Sequence, residues 1–154
     1  MIKYYDKAIV MQEIPDEISL ALNITNCPHR CHNCHSPYLR EDIGTKLTLE
    51  ELDKLLTDKI NKNVTCILFM GGDASHKDII HLTNFIHNNY NFKVAMYSGD
   101  DIVDYELLSC LDYYKYGSYQ EDKGPLNSPT TNQVLLKIEK GEIKDITKKF
   151  QLFS

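Results

Sequence analysis

Cys27-Pro-His-Arg-Cys31-His-Asn-Cys34 sets three thiols at C-x3-C-x2-C spacing, directly after the largely apolar run Ile18-Ser-Leu-Ala-Leu-Asn-Ile-Thr25. Thiolate sulfur is a soft donor, suited to zinc or to an iron–sulfur cluster. Thiols this close in sequence can gather around one metal centre without help from distant segments. In a four-iron cubane, three cysteines leave one iron open, free to bind a small molecule and pass it an electron. Zinc held by three cysteines and a histidine is the competing reading, because His29, His32 and His35 share the loop. Most structural zinc sites, however, use two separated ligand pairs, and no second pair occurs here. A disulfide framework fits poorly, since five cysteines are an odd number and the N-terminus Met1-Ile-Lys-Tyr-Tyr-Asp-Lys has no signal-peptide pattern. Cys27, Cys31 and Cys34 are therefore the candidate metal ligands. Cys66, inside an apolar run, and Cys110, at the end of an amphipathic stretch, read as core.

Outward from this loop, the chain alternates strand and helix signals. Residues 5–14 read as an extended lead-in that ends at Pro15, and the run 18–25 reads as a strand feeding the cysteines. Thr48-Leu-Glu-Glu51 is a capping box that should open a helix over Leu49–Ile60. Its apolar face would carry Leu49, Leu52, Leu55, Leu56 and Ile60. Val64–Met70 is a continuous apolar run, the mark of a strand covered on both faces. A helix capped by Ser75 should follow to Asn89, then a strand over Lys93–Tyr97, a helix over Ile102–Cys110 and a strand over Tyr113–Gly117. Residues 120–132, rich in Gly, Pro, Ser, Thr and Asn, read as a long loop. Val134–Glu139 and Ile143–Ile146, joined at Lys140-Gly141, read as a hairpin.

This order predicts an α/β fold with mostly parallel strands and a C-terminal β-hairpin, in one domain spanning 1–154. At 154 residues and 42% hydrophobic composition the chain can bury a substantial core, yet it is too short for a closed eight-stranded (β/α) barrel, which needs roughly 250 residues. An open, partial barrel is the architecture that remains. A net charge of −5 argues against nucleic acid as a partner, and no apolar stretch approaches the ~20 residues of a membrane helix. The reading is a soluble, cytoplasmic protein with reduced thiols.

In parallel α/β folds, ligands gather at the carboxyl ends of the strands. The unusual residues fall there: the cysteines, then Gly71-Gly72-Asp73, then Ser98-Gly99, then Gly117. Paired glycines let backbone approach a ligand closely. Lys115, near a strand end, reads either as a carboxylate holder or as a solvated lysine.

The C-x3-C-x2-C loop after a strand resembles the radical S-adenosylmethionine (SAM) superfamily. Taken with Phe69-Met-Gly-Gly-Asp73, Tyr97-Ser-Gly99, Lys115-Tyr-Gly-Ser-Tyr119 and Pro129-Thr-Thr-Asn-Gln133, in that order, it resembles the activating proteins of anaerobic ribonucleoside-triphosphate reductases. The resemblance implies a [4Fe–4S] cluster on Cys27, Cys31 and Cys34. It also implies SAM held by Asn33, Cys34, His35, Gly71, Gly72, Asp73, Ser98 and Gly99. Reductive cleavage of SAM would yield a 5′-deoxyadenosyl radical, with no side chain acting as acid or base. That radical would take hydrogen from a glycine of the large reductase subunit, and a one-electron donor such as a flavodoxin would supply the cluster. Two features depart from the wider superfamily: Asp73 replaces a common glutamate, and Asn33 replaces an aromatic residue beside the adenine. Another radical SAM enzyme, and a zinc-binding interaction module without catalysis, are the alternative readings.

Overall fold

The computed structural model describes residues 1–29 and 36–151. The expectations for Cys31, Asn33, Cys34 and His35 lie outside the described residues. Four strands run parallel at the centre of one sheet: β2 (Ser19–Ile24), β4 (Cys66–Met70), β5 (Lys93–Tyr97) and β6 (Tyr113–Tyr116). Antiparallel strands flank them. On one side lie β1 (Lys3–Val10) and β3 (Thr45–Lys46), and on the other β7 (Val134–Glu139) and β8 (Glu142–Asp145). The order is β3-β1-β2-β4-β5-β6-β7-β8, and β3 and β8 do not pair with each other, so this mixed sheet is open.

The two-residue period of the strands sorts their side chains onto two faces. Leu20, Leu22, Ile67, Phe69, Val94, Met96 and Tyr114 point to the side where the helices pack and form the larger core. Those helices are α1 (Leu49–Thr57), α2 (His76–Asn89) and α3 (Tyr105–Cys110). Ala21, Cys66, Leu68, Ala95 and Tyr113 point the other way, where Ile14 and Leu126 cover them. A short α4 (Thr147–Gln151) follows β8. Burial on both faces explains why β4 reads as an unbroken apolar run. The Cys66 thiol is fully buried there and pushed up to about 12 by desolvation, while burial raises the half-buried Cys110 thiol to about 11. Both behave as core residues.

Several boundaries differ from the sequence reading. The lead-in is itself a strand, β1, so the cysteine loop follows the second strand of the chain. The short β3 carries no pattern of its own and exists by pairing with β1. Thr48 does cap α1, its Oγ1 accepting from the Glu51 amide at 3.0 Å, but Glu51 accepts from the Tyr4 hydroxyl. The helix stops at Thr57 rather than Ile60. Asp58 adopts an extended conformation and its carboxylate accepts from the Ile60 amide, which starts a separate 3-10 turn over Lys59–Asn61. The Asn61 amide then donates to the Leu55 carbonyl at 2.9 Å, closing the end of α1. Ile60, expected in the core, is 78% exposed. Likewise α3 begins at Tyr105 rather than Ile102, because the Asp104 carboxylate accepts from the Glu106 and Leu107 amides.

The contrast between Ile60 and Leu56 gives a direct test. Ile60→Ala should change unfolding free energy by no more than about 0.5 kcal/mol. Leu56→Ala should cost about 2–5 kcal/mol. Urea denaturation of the two variants measures both.

Candidate functional site

The parallel register brings the ends of β2, β4, β5 and β6 to one edge, and backbone hydrogen bonds continue past them. The Gly71 amide donates to the Tyr97 carbonyl at 3.0 Å, Ser98 to Lys115 at 2.8 Å and Gly117 to Asp100 at 2.7 Å. The cysteine loop leaves this edge through Asn26, whose φ of 60° turns the chain, a conformation asparagine tolerates better than most residues. Two bonds close the base of the loop: Asn26 amide to Glu41 carbonyl at 3.2 Å, and Cys27 amide to Leu39 carbonyl at 2.9 Å. Cys27 is thereby fixed, half-buried, at the end of β2.

Asp73 lies at the centre, with its side chain only 3% exposed. Oδ1 accepts from His76 Nε2 at 2.9 Å and Ser98 Oγ at 2.7 Å. Oδ2 accepts from His29 Nε2 and from the Gly99 amide, each at 2.8 Å. Burial alone would raise this carboxyl, but the bonds from His76, Ser98, Gly99 and His29 prevail and hold it below the usual carboxylate range. The cysteine loop, the ends of β4 and β5 and the first turn of α2 are thus tied to one side chain. His29, which the sequence offers as a histidine of the cysteine loop, is bonded to carboxylates. Gly99 is required beneath it, since a Cβ there would lie 2.9 Å from the His29 ring.

The two neighbouring glycines have different reasons. Gly71, at φ +105°, has only ordinary contacts around its absent side chain. Gly72, at φ +121°, has Ile79 side-chain carbons 2.7 and 2.8 Å from where a Cβ would stand. It permits close packing of α2, a role that ligand approach does not explain.

Two further acids surround the network. Asp100, 33% exposed, lies 3.1 Å from His29 Nε2 and 3.4 Å from His76 Nε2. Burial, then the charge of Asp73, raise its carboxyl above the ordinary value. Asp104 accepts from His76 Nδ1 at 2.7 Å, and that bond holds its carboxyl low. With a carboxylate at each ring nitrogen, both nitrogens of His76 donate. Burial opposes the charged ring, but the bonds to Asp73 and Asp104 outweigh it and raise His76 above 6.5. Beside this cluster lies a cavity of about 650 Å³, lined by His29, His76, Gly99, Asp100, Asp104 and Ser118 among others. Its volume lies within the range of small-molecule sites.

Lys115 is buried rather than solvated, with its ammonium donating to the Ser98 carbonyl at 3.2 Å and lying 5.2 Å from the centre of the Tyr97 ring. Asn132 and Gln133 close the long loop at its base, donating to the carbonyls of Ser118 at 2.9 Å and Gly117 at 3.3 Å. Sequence reasoning missed His76, Asp100 and Asp104. The signal available was the dense acidic stretch Asp100–Asp104 directly after Ser98-Gly99.

The 4Fe-4S single cluster domain family matches residues 18–136, from the start of β2 into β7, which is more than half the chain. The chain belongs to that family. Comparisons with curated proteins and with solved structures give no match. Membership decides between the two soft-metal readings in favour of iron–sulfur, in a 4Fe-4S domain of the kind found in radical SAM activating enzymes. No helix among the described residues is long and apolar enough to cross a membrane.

The His76 geometry predicts a titration. In the cluster-free protein, NMR should place the His76 pKa above 6.5, and Asp104→Asn should lower it by removing one of the two carboxylates. Because the folded value is raised, the bound proton contributes stability fully below pH 6.5. That contribution is lost as pH rises through the folded pKa.

Proposed function

We propose that this chain is a radical SAM enzyme and that its substrate is a glycine of the anaerobic ribonucleotide reductase. The observation that carries the reading is that Cys27 and His29, at the start of the 4Fe-4S family's cysteine motif, lie at the strand ends that carry Gly71-Gly72-Asp73, Ser98-Gly99 and a cavity of ligand size. Cys27, Cys31 and Cys34 are the proposed cluster ligands. Cys27 sits on a loop pinned at its base, within reach of the strand ends, as a ligand to a centre on that edge must. The acidic cavity wall suits a molecule with an amino group and a sulfonium.

When bound, a reduced cluster would supply one electron to the sulfonium carbon–sulfur bond of SAM, which would break to methionine and a 5′-deoxyadenosyl radical. The chain's own residues position and shield. Asn33, Cys34, His35, Gly71, Gly72, Ser98 and Gly99 are the proposed SAM-facing residues, and Asp73 fixes the segments that carry them. No side chain needs to gain or lose a proton. The hydrogen moves from the glycine α-carbon to the 5′-carbon, leaving 5′-deoxyadenosine and a glycyl radical on the partner.

The choice of partner is supported by the ordered motif set, from the cysteine loop through Pro129-Thr-Thr-Asn-Gln133, and by the openness of the sheet. A site with no closed barrel around it can admit a loop of a large protein. A small one-electron donor, such as a flavodoxin, is the proposed source of reducing equivalents.

Anaerobic reconstitution should give about four irons per chain. Cys27→Ala, Cys31→Ala and Cys34→Ala should each abolish the cluster, while Cys66→Ala and Cys110→Ala should retain it. Reduced protein with SAM and the large reductase should then leave a glycyl radical doublet on the reductase, read by electron paramagnetic resonance. A full cluster in Cys31→Ala would overturn the ligand set. Robust SAM cleavage with no radical on the reductase would overturn the choice of partner.

A further inference from the structure

Resting on the reading of this edge as a SAM site, we propose that Asp100, not Asp73, is the carboxylate that accepts the hydrogens of the SAM amino group. Asp73 is then a positioning residue. An ionised carboxylate offers about four lone-pair sites. Asp73 has four protein donors at 2.7–2.9 Å, two on each oxygen, and is almost wholly buried. Nothing remains on it for a ligand.

The other acids around the cavity are also engaged. Asp104 accepts from His76 and from two amides at the start of α3. Asp101 accepts from both the amide and the hydroxyl of Ser118. Asp100 differs. Its two oxygens meet the donors His29 Nε2 and His76 Nε2 at 3.1 and 3.4 Å, beside a carboxyl contact with Asp73 itself, and both nitrogens lie closer to Asp73, at 2.8 and 2.9 Å. Among the described residues Asp100 thus receives second shares of donors already committed elsewhere. Burial and the neighbouring Asp73 charge raise its carboxyl, as befits an acid short of donors. It lines the cavity and is one-third exposed, so a donor entering from that side can reach it.

The ligand atoms of His29, Asp73 and Asp100 lie within 4.8 Å of one another, a spacing that would also suit a small cation. The amino group is the better fit because His29 and His76 already point their N–H groups at the carboxylates. A metal ion held by that group would need the His29 nitrogen as a bare acceptor.

The test is equilibrium binding to the reconstituted, cluster-loaded protein, using SAM, S-adenosylhomocysteine and 5′-methylthioadenosine. The second keeps the amino group and lacks the sulfonium, and the third lacks the amino acid altogether. Asp100→Asn should weaken SAM and S-adenosylhomocysteine alike, by about tenfold to a hundredfold, the scale of one charge-assisted hydrogen bond. It should leave 5′-methylthioadenosine unchanged. Its iron content should match the parent, and its melting temperature should be equal or higher, since a like-charge contact with Asp73 is relieved. Asp73→Asn should lower the melting temperature and weaken all three ligands together.

Unchanged SAM affinity in Asp100→Asn would overturn the proposal, and so would a loss confined to SAM, which would assign the acid to the sulfonium. A lower melting temperature in Asp100→Asn would make it a structural ion, also overturning the proposal. Mn²⁺ binding by the parent that Asp100→Asn abolishes, with SAM affinity intact, would assign the site to a metal ion instead. Failure of the parent itself to bind SAM would instead overturn the SAM reading from which the proposal starts.

Discussion

The Asp73 carboxylate, buried and fully hydrogen-bonded, is the constraint on which the rest of this edge depends. A charged carboxylate out of water is tolerated only if its lone pairs are filled. Here four donors come from three separate places: the cysteine loop through His29, the first turn of α2 through His76, and the end of β5 through the Ser98 hydroxyl and the Gly99 amide. Each is a charge-assisted bond, and losing any one leaves a buried acceptor position unfilled. The short reach of aspartate matches the positions of these donors. A longer side chain from the same backbone position would carry its oxygens past these donors.

The sheet supplies the geometry that lets one residue serve as this hub. Parallel pairing in register places the ends of β2, β4, β5 and β6 side by side, so residues far apart in sequence become neighbours. Gly72 lets α2 start close against β4, which delivers His76 to Asp73. Gly99 leaves room for the His29 ring to pass over it. Packing and site chemistry are thus linked, since the glycines set the approach distances that the hydrogen bonds require.

Much of this was legible in the sequence. The central strands show as apolar runs, α2 shows its stripe and its serine cap, and the cysteine spacing points to the iron–sulfur chemistry that the family match supports. What was not legible is long-range. β1 and β3 are strands because they pair, and neither has a strong pattern of its own. The ends of α1 and α3 were misplaced because Asp58 and Asp104 form local caps that compete with the apolar period. Histidines and aspartates look like ordinary surface residues in sequence. Only the fold shows that His29, His76, Asp73 and Asp100 converge. The sequence also could not separate the two glycines of Gly71-Gly72, one of which answers to helix packing.

The central claim is that one side chain couples the cysteine loop, the β5 end and α2. Hydrogen–deuterium exchange on cluster-free Asp73→Ala tests it most directly. Coupling predicts faster exchange together at the Gly99 amide, at the Cys27 amide and in the first turn of α2, with the β4 amides still protected. Faster exchange at Gly99 alone, with the loop and helix unchanged, would contradict it.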